Sequence, residues 1–296
     1  KKNTWQGFLA LFGSMLLYAF SGVVVVGLSA AFGNVGQVTF RALAALVLVL
    51  FWLVVTGFRY KLNHKNQYDL KWLIVDIVCR PIFNICFVYA ALSIGPTAAL
   101  FYLFASKVIF GGVIKLLIGN KKKLLWYDYL SYTVVIVGLF VFSYPVSFVN
   151  TAIYIAMTSG FFEAVKSEAM GKLSVKSEDK PVVALYEFFS LAVITALIVM
   201  FVGQSFLVAD MTLNIWFVLA LSAVTAVGSL FLELTGFAKF DADLGNAILA
   251  SEMGFAGWIN YLVLGTEMTG LQMVGAGMLV VSLIFVAVAS YLRGKK

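Results

Sequence analysis

The chain has 296 residues, of which 62% are hydrophobic and only 12% charged. Soluble domains run at roughly 45–50% apolar and about 25% charged residues, so an ordinary soluble protein is excluded. A spanning helix takes about 20 mostly apolar residues, and the number of such runs here leaves no room for a soluble catalytic domain.

Taken in chain order, the apolar stretches predict helices over 5–28, 35–57, 70–93, 97–118, 128–144, 148–170, 181–203, 213–237, 245–265 and 268–291. The first run, from Gly7 to Leu28, exceeds the roughly 7–15 apolar residues of a cleavable signal peptide and is expected to be a membrane helix. Cys79 and Cys86 share one apolar segment, so no disulfide framework is expected.

Charge then fixes the expected orientation. Lys1, Lys2, Arg59, Lys61, Lys65, Lys71, Lys121, Lys122, Lys123, Lys172, Lys176, Lys180, Lys239, Arg293, Lys295 and Lys296 all fall on one side of the ten-span arrangement. The other side has no Lys or Arg, so both termini are expected to face the cytoplasm, with the protein in the cytoplasmic (inner) membrane. The net charge of +7 is then a topology signal and not a nucleic-acid footprint. Trp5, Trp72, Trp126 and Trp216 sit near span ends, where amphipathic rings favour the headgroup zone.

Setting aside Lys71 and Asp128 at the very ends of their spans, eleven charged residues remain inside the predicted spans: Arg41, Asp76, Arg80, Lys107, Lys115, Glu163, Lys166, Glu168, Glu187, Glu233 and Glu252. Each would cost about 2.5–3.5 kcal/mol at a lipid-facing helix centre, so they are expected to face protein, one another or water. In the fifth span only the first residue, Asp128, is charged, and in the tenth none is. Residues three or four apart share a helix face. On that spacing Asp76, Arg80 and Asn84 form one polar stripe, with Asp76 placed to pair with Arg80. Ser159, Glu163, Lys166 and Ser167 form a second, Ser222, Thr225, Ser229 and Glu233 a third, and Ser14, Tyr18 and Ser21 a milder fourth. Glu252 and Asn260 roughly align on the ninth span. Such stripes point to a shared aqueous cavity, although Ser and Thr rows also serve as packing faces, and the charged pairs also suit structural bridges. Lys115, Glu168 and Glu233 lie near cytoplasmic ends, where side chains snorkel. Lys107 and Glu252 sit deep, in near-equivalent places of the two halves.

The equivalence comes from a weak internal repeat. Phe104-Ala105-Ser106-Lys107 finds an echo in Leu249-Ala250-Ser251-Glu252, 145 residues on, while Arg41 falls opposite Glu187 and Gly119 opposite Gly265, 146 residues on. An odd number of helices per half makes the second half enter the membrane in the opposite sense. The expected fold is an all-α membrane protein of ten transmembrane helices, arranged as two inverted five-helix repeats, 1–145 and 146–296, a recurrent transporter architecture.

Tyr18-Ala19-Phe20-Ser21, Phe40-Arg41, the Tyr89-Ala90-Ala91-Leu92-Ser93-Ile94 turn and Gly265-Thr266-Glu267-Met268-Thr269 with Gly275 resemble motifs of the drug/metabolite transporter superfamily, in its EamA-type ten-helix branch. Ser106-Lys107 and Ser251-Glu252 depart from that family's acidic-Pro pattern, and Asn120 stands where the first half would have Glu. The resemblance implies a central cavity and alternating access, with the fifth and tenth helices peripheral.

The expected function is secondary transport of a small polar metabolite, amino-acid-like and zwitterionic, with protons as the candidate coupling ion. Candidate binding or coupling residues are Tyr18, Arg41, Asp76, Arg80, Asn84, Tyr102, Lys107, Glu163, Lys166, Glu187, Glu252 and Trp258. A second reading is a carrier of choline-like organic cations, held by carboxylates and the aromatic faces of Tyr18, Tyr102 and Trp258. From another class, a membrane scaffold or receptor would have little reason to keep so many intramembrane charges. An enzyme is not expected: the single histidine, His64, lies in a loop, no metal site or cofactor motif is present, and no phosphate loop occurs.

Overall fold

Apolar runs of this length, with backbone groups that find no partner in lipid, leave the helix as the local solution. The computed structural model describes residues 4–56, 70–118, 126–144, 150–173, 180–239, 248–249 and 252–293. His64, Gly119, Asn120 and Ser251 lie outside the described residues, as does the Lys115 side chain.

The described helices are α1 (Thr4–Tyr18), α2 (Ser21–Ser29), α3 (Asn34–Val55), α4 (Leu70–Ile94), α5 (Pro96–Ile118) and α6 (Trp126–Ser143). They continue as α7 (Thr151–Leu173), α8 (Lys180–Val202), α9 (Leu213–Phe237), α10 (Glu252–Leu264) and α11 (Gly270–Arg293). Six described segments are long and apolar enough to cross a bilayer: Trp5–Ser29, Asn34–Val55, Leu70–Ile94, Pro96–Ile114, Lys180–Val202 and Leu213–Phe237. The chain is therefore built as a membrane-embedded helical protein.

One predicted span is broken in the structure. The first is interrupted: Phe20 N–H reaches back to the Leu17 carbonyl, three residues away, so the helix tightens and restarts at Ser21. The ninth predicted span is described from Glu252 to Leu264, as α10.

Helix pairing is specific. α4 packs on α7, α3 on α8, α1 and α2 on α9, α5 on α7, and α6 on α11. Close approach relies on small residues, as expected where lipid offers no hydrophobic drive to association. A Cβ on Gly160 of α7 would overlap the Ser106 hydroxyl and the Leu103 carbonyl of α5. Between α6 and α11, Gly138 and Gly275 bring the backbones together: a Cβ on Gly275 would lie 2.8 Å from the Gly138 carbonyl oxygen. Polar rungs cross the same seams. Ser14 donates to the Ser229 carbonyl at 3.2 Å, and Thr39 to Thr195 at 2.9 Å.

The two ends of the bundle are built differently. At one end lysines tie helix termini together: Lys180 to Thr235, Lys239 to Gln6, and Lys172 over the Trp72 ring. At the other, Phe32 forms an isolated β-bridge with Leu207, and the Val208 N–H donates to the Ala31 carbonyl at 2.9 Å. Beneath that bridge Val24, Leu28, Phe32, Ile215 and Leu219 form a separate apolar plug.

Candidate functional site

Below the plug lies a central hollow with two adjoining lobes, of about 520 Å³ and 590 Å³, their open mouths included. Tyr18, Ser21, Arg41, Phe83 and Asn84 line both. The interrupted first span therefore delivers Tyr18 and Ser21 to the cavity wall on either side of its break. Lys107 from α5, Glu163 from α7, Glu233 from α9 and Glu252 from α10 complete one lobe, with Phe87 and Phe104 as apolar wall. Arg80, Phe188 and Thr225 belong to the other. On α4, Pro81 lacks an N–H, which leaves the Ile77 carbonyl without its ladder donor at the level of Arg80. The Asn84 amide meanwhile donates to the Arg80 carbonyl at 2.9 Å.

The charges are mostly paired across helices. Lys107 Nζ lies 3.2 Å from Glu163, Glu163 lies 3.1 Å from Lys166, and Lys166 lies 3.7 Å from Glu233. This relay joins α5, α7 and α9, and Lys166 also lies over the Phe83 ring. Arg80 pairs with Glu187 of α8 at 2.5 Å. Two lining charges stand apart: among the described residues neither Arg41 nor Glu252 has a salt-bridge partner, and Arg41 Nη1 is buried without a hydrogen bond.

Of the twelve sequence-predicted site residues, Tyr18, Arg41, Arg80, Asn84, Lys107, Glu163 and Glu252 line the hollow. Asp76, Lys166 and Glu187 are buried behind it, at 0%, 1% and 0% exposure. Tyr102 and Trp258 are elsewhere. The Tyr102 hydroxyl bonds Ser143 at 2.8 Å and so joins α5 to α6, while Trp258 is 70% exposed on the outer face of α10. The Asp76–Arg80 pairing expected from helical spacing is replaced by Arg80–Glu187, because the long guanidinium side chain reaches across to the facing helix. Glu233, expected to snorkel, is 1% exposed and paired with Lys166. Its signal was the Ser222–Thr225–Ser229 stripe, whose alignment put Glu233 on the buried face. The hydroxyls of that stripe bond carbonyls of their own helix, the packing use of such a row. Glu168 does lie at the surface, paired with Lys172.

No family model matches the chain, and no curated protein does. Among solved structures, 28 chains match. One, described only as "Crystal structure of protein", superposes with a TM-score of 0.71 at 11% identity, over 96% of this chain and 98% of its own. At that identity the likeness establishes the fold alone.

Proposed function

We propose that this protein is a secondary active transporter of small zwitterionic, amino-acid-like metabolites, and not an enzyme. The observation that carries the reading is the pair of uncompensated lining charges. A cation on α3 (Arg41) and a carboxylate on α10 (Glu252) border the same lobe, while the other lining charges have partners. A substrate carboxylate meeting Arg41 and an ammonium group meeting Glu252 would neutralise both. Charge-assisted hydrogen bonds of this kind contribute about 1.5–3 kcal/mol each. Phe83, Phe87 and Phe104 supply apolar wall for the rest of the molecule.

Alternating access between inverted repeats 1–145 and 146–296 completes the proposal, with EamA-type membership and ten spans. Helix packing supports it. Exchanging the helices of the two halves in order turns the α4–α7 seam into the α9–α1 seam, and maps α3–α8 and α6–α11 onto themselves. The interrupted first span fits the broken helices that line transporter sites. With the apolar plug closing one end, the hollow belongs to a state shut on that side. On the positive-inside rule the lysine-tied end faces the cytoplasm, placing the protein in the inner membrane with both termini inside.

The test is uptake of labelled neutral amino acids, and separately of labelled choline, into proteoliposomes, each competed by unlabelled amino acids and by choline. Inhibition by zwitterions and not by choline is expected. Inhibition by choline alone would establish the organic-cation reading, which the aromatic wall and the carboxylates Glu163, Glu233 and Glu252 favour. No uptake of either class would sink both.

A further inference from the structure

Behind the hollow, one cluster of charge has no part in the binding scheme. Asp76 of α4 and Glu187 of α8 are both 0% exposed, on helices packed against each other. Their carboxyl groups lie within hydrogen-bonding reach of one another. Arg80, one turn beyond Asp76, pairs with a Glu187 oxygen. None of the four carboxylate oxygens has an aligned hydrogen-bond donor among the described residues. Two ionised carboxylates in contact at low dielectric repel each other, and like charges so placed do not both ionise. If one of them carries a proton, the same contact becomes an O–H···O hydrogen bond, and a single guanidinium then balances a single anion.

We propose that Asp76 and Glu187 share one dissociable proton and form the coupling site of the carrier. The word coupling rests on the transport reading above; the shared proton does not. Loading forms one O–H bond on a carboxyl, with the proton drawn from water in the lobe that Arg80 borders. Release returns that proton to water and leaves two anions facing one guanidinium, so α4 and α8 then repel where the loaded pair had joined them. Proton occupancy is thereby tied to the spacing of two helices from different halves of the chain, which is the linkage a coupled carrier requires.

The surroundings leave this balance intact. From α7 come Glu163 and Lys166, from α5 Lys107 and from α9 Glu233, and these four form the relay of two cations and two carboxylates already described. Arg41 of α3 adds a positive charge across the shared lobe, and Tyr18 and Cys79 are further titratable neighbours among the described residues.

Infrared spectroscopy of the lipid-reconstituted protein, titrated with acid and base, tests the proposal. The unmodified protein is expected to show a protonated-carboxyl carbonyl band that disappears as pH rises and shifts in D2O. Asp76→Asn and Glu187→Gln should each remove that same band, and Glu252→Gln should leave it. Persistence of the band in both Asp76→Asn and Glu187→Gln overturns the proposal, as does the absence of any titrating band in the unmodified protein, which needs no variant to fold. Loss of the band in either correctly folded variant with retention in Glu252→Gln supports it. Zwitterion uptake failing while the band behaves as expected refutes the carrier reading alone; uptake succeeding while the band persists refutes this site alone.

Discussion

Replacing Glu163 by Gln removes the central anion of the Lys107–Glu163–Lys166–Glu233 relay while keeping its shape. Lys107 and Lys166 are 4% and 1% exposed, so neither ammonium group regains bulk water. Lys166 keeps Glu233 at 3.7 Å, but Lys107 loses its one salt bridge among the described residues. Leaving a buried charge uncompensated costs about 3–5 kcal/mol, and the expected loss of unfolding free energy lies in that range. Adding Lys107→Met removes the stranded cation with a side chain of similar length. The double variant is therefore expected to be more stable than Glu163→Gln alone, with a coupling energy of about 1–3 kcal/mol. The assay is equilibrium unfolding in mixed micelles for the four proteins of the cycle. A single-variant cost of about 0.5 kcal/mol or less, the range of surface substitutions, or strict additivity would refute the relay as a buried, mutually dependent network.

Three further outcomes are expected. Arg41→Gln should weaken zwitterion competition for labelled uptake by roughly 10–100-fold, the equivalent of one charge-assisted contact, and should leave inhibition by amines lacking a carboxylate unchanged. Gly160→Val should destabilise by at least about 1–3 kcal/mol through overpacking against α5, whereas Gly254→Ala, where a Cβ meets nothing within 4 Å, should be neutral or stabilising by about 0.4–1 kcal/mol; thermal unfolding of both variants checks the contrast. Phe32→Cys with Leu207→Cys places two thiols across the bridge that closes one end, and oxidation should arrest uptake reversibly, with reductant restoring it. Unchanged uptake in a demonstrably crosslinked protein would mean that this end does not open during transport.

Helix positions were legible because they depend on local composition: Leu213–Phe237 begins and ends where the predicted range does, and the Ile94 end of α4 and the Pro96 start of α5 fall within a residue of it. The need to hide charge was equally legible, since the cost of exposing Lys107 or Glu252 to lipid follows from residue type and depth. Partner choice was not. Helical spacing brings Asp76 beside Arg80, but the guanidinium pairs across a packed interface with a residue more than a hundred positions away in sequence. Glu233 was misplaced for a related reason, because depth along the helix suggested snorkelling while the facing Lys166 held it inside. Trp258 illustrates the converse limit. An aromatic ring in a membrane helix suits a binding wall or a lipid face equally, and only packing places this one outside.

The glycine-to-glycine contact of α6 and α11 has a consequence for biogenesis. These two helices meet backbone to backbone, yet about 130 residues of chain separate them. At ribosomal speeds of about 5–20 residues per second, α6 waits on the order of ten seconds in the membrane with its Gly138 surface uncovered before its companion is made. A premature stop between the two helices would leave that strip bare for good.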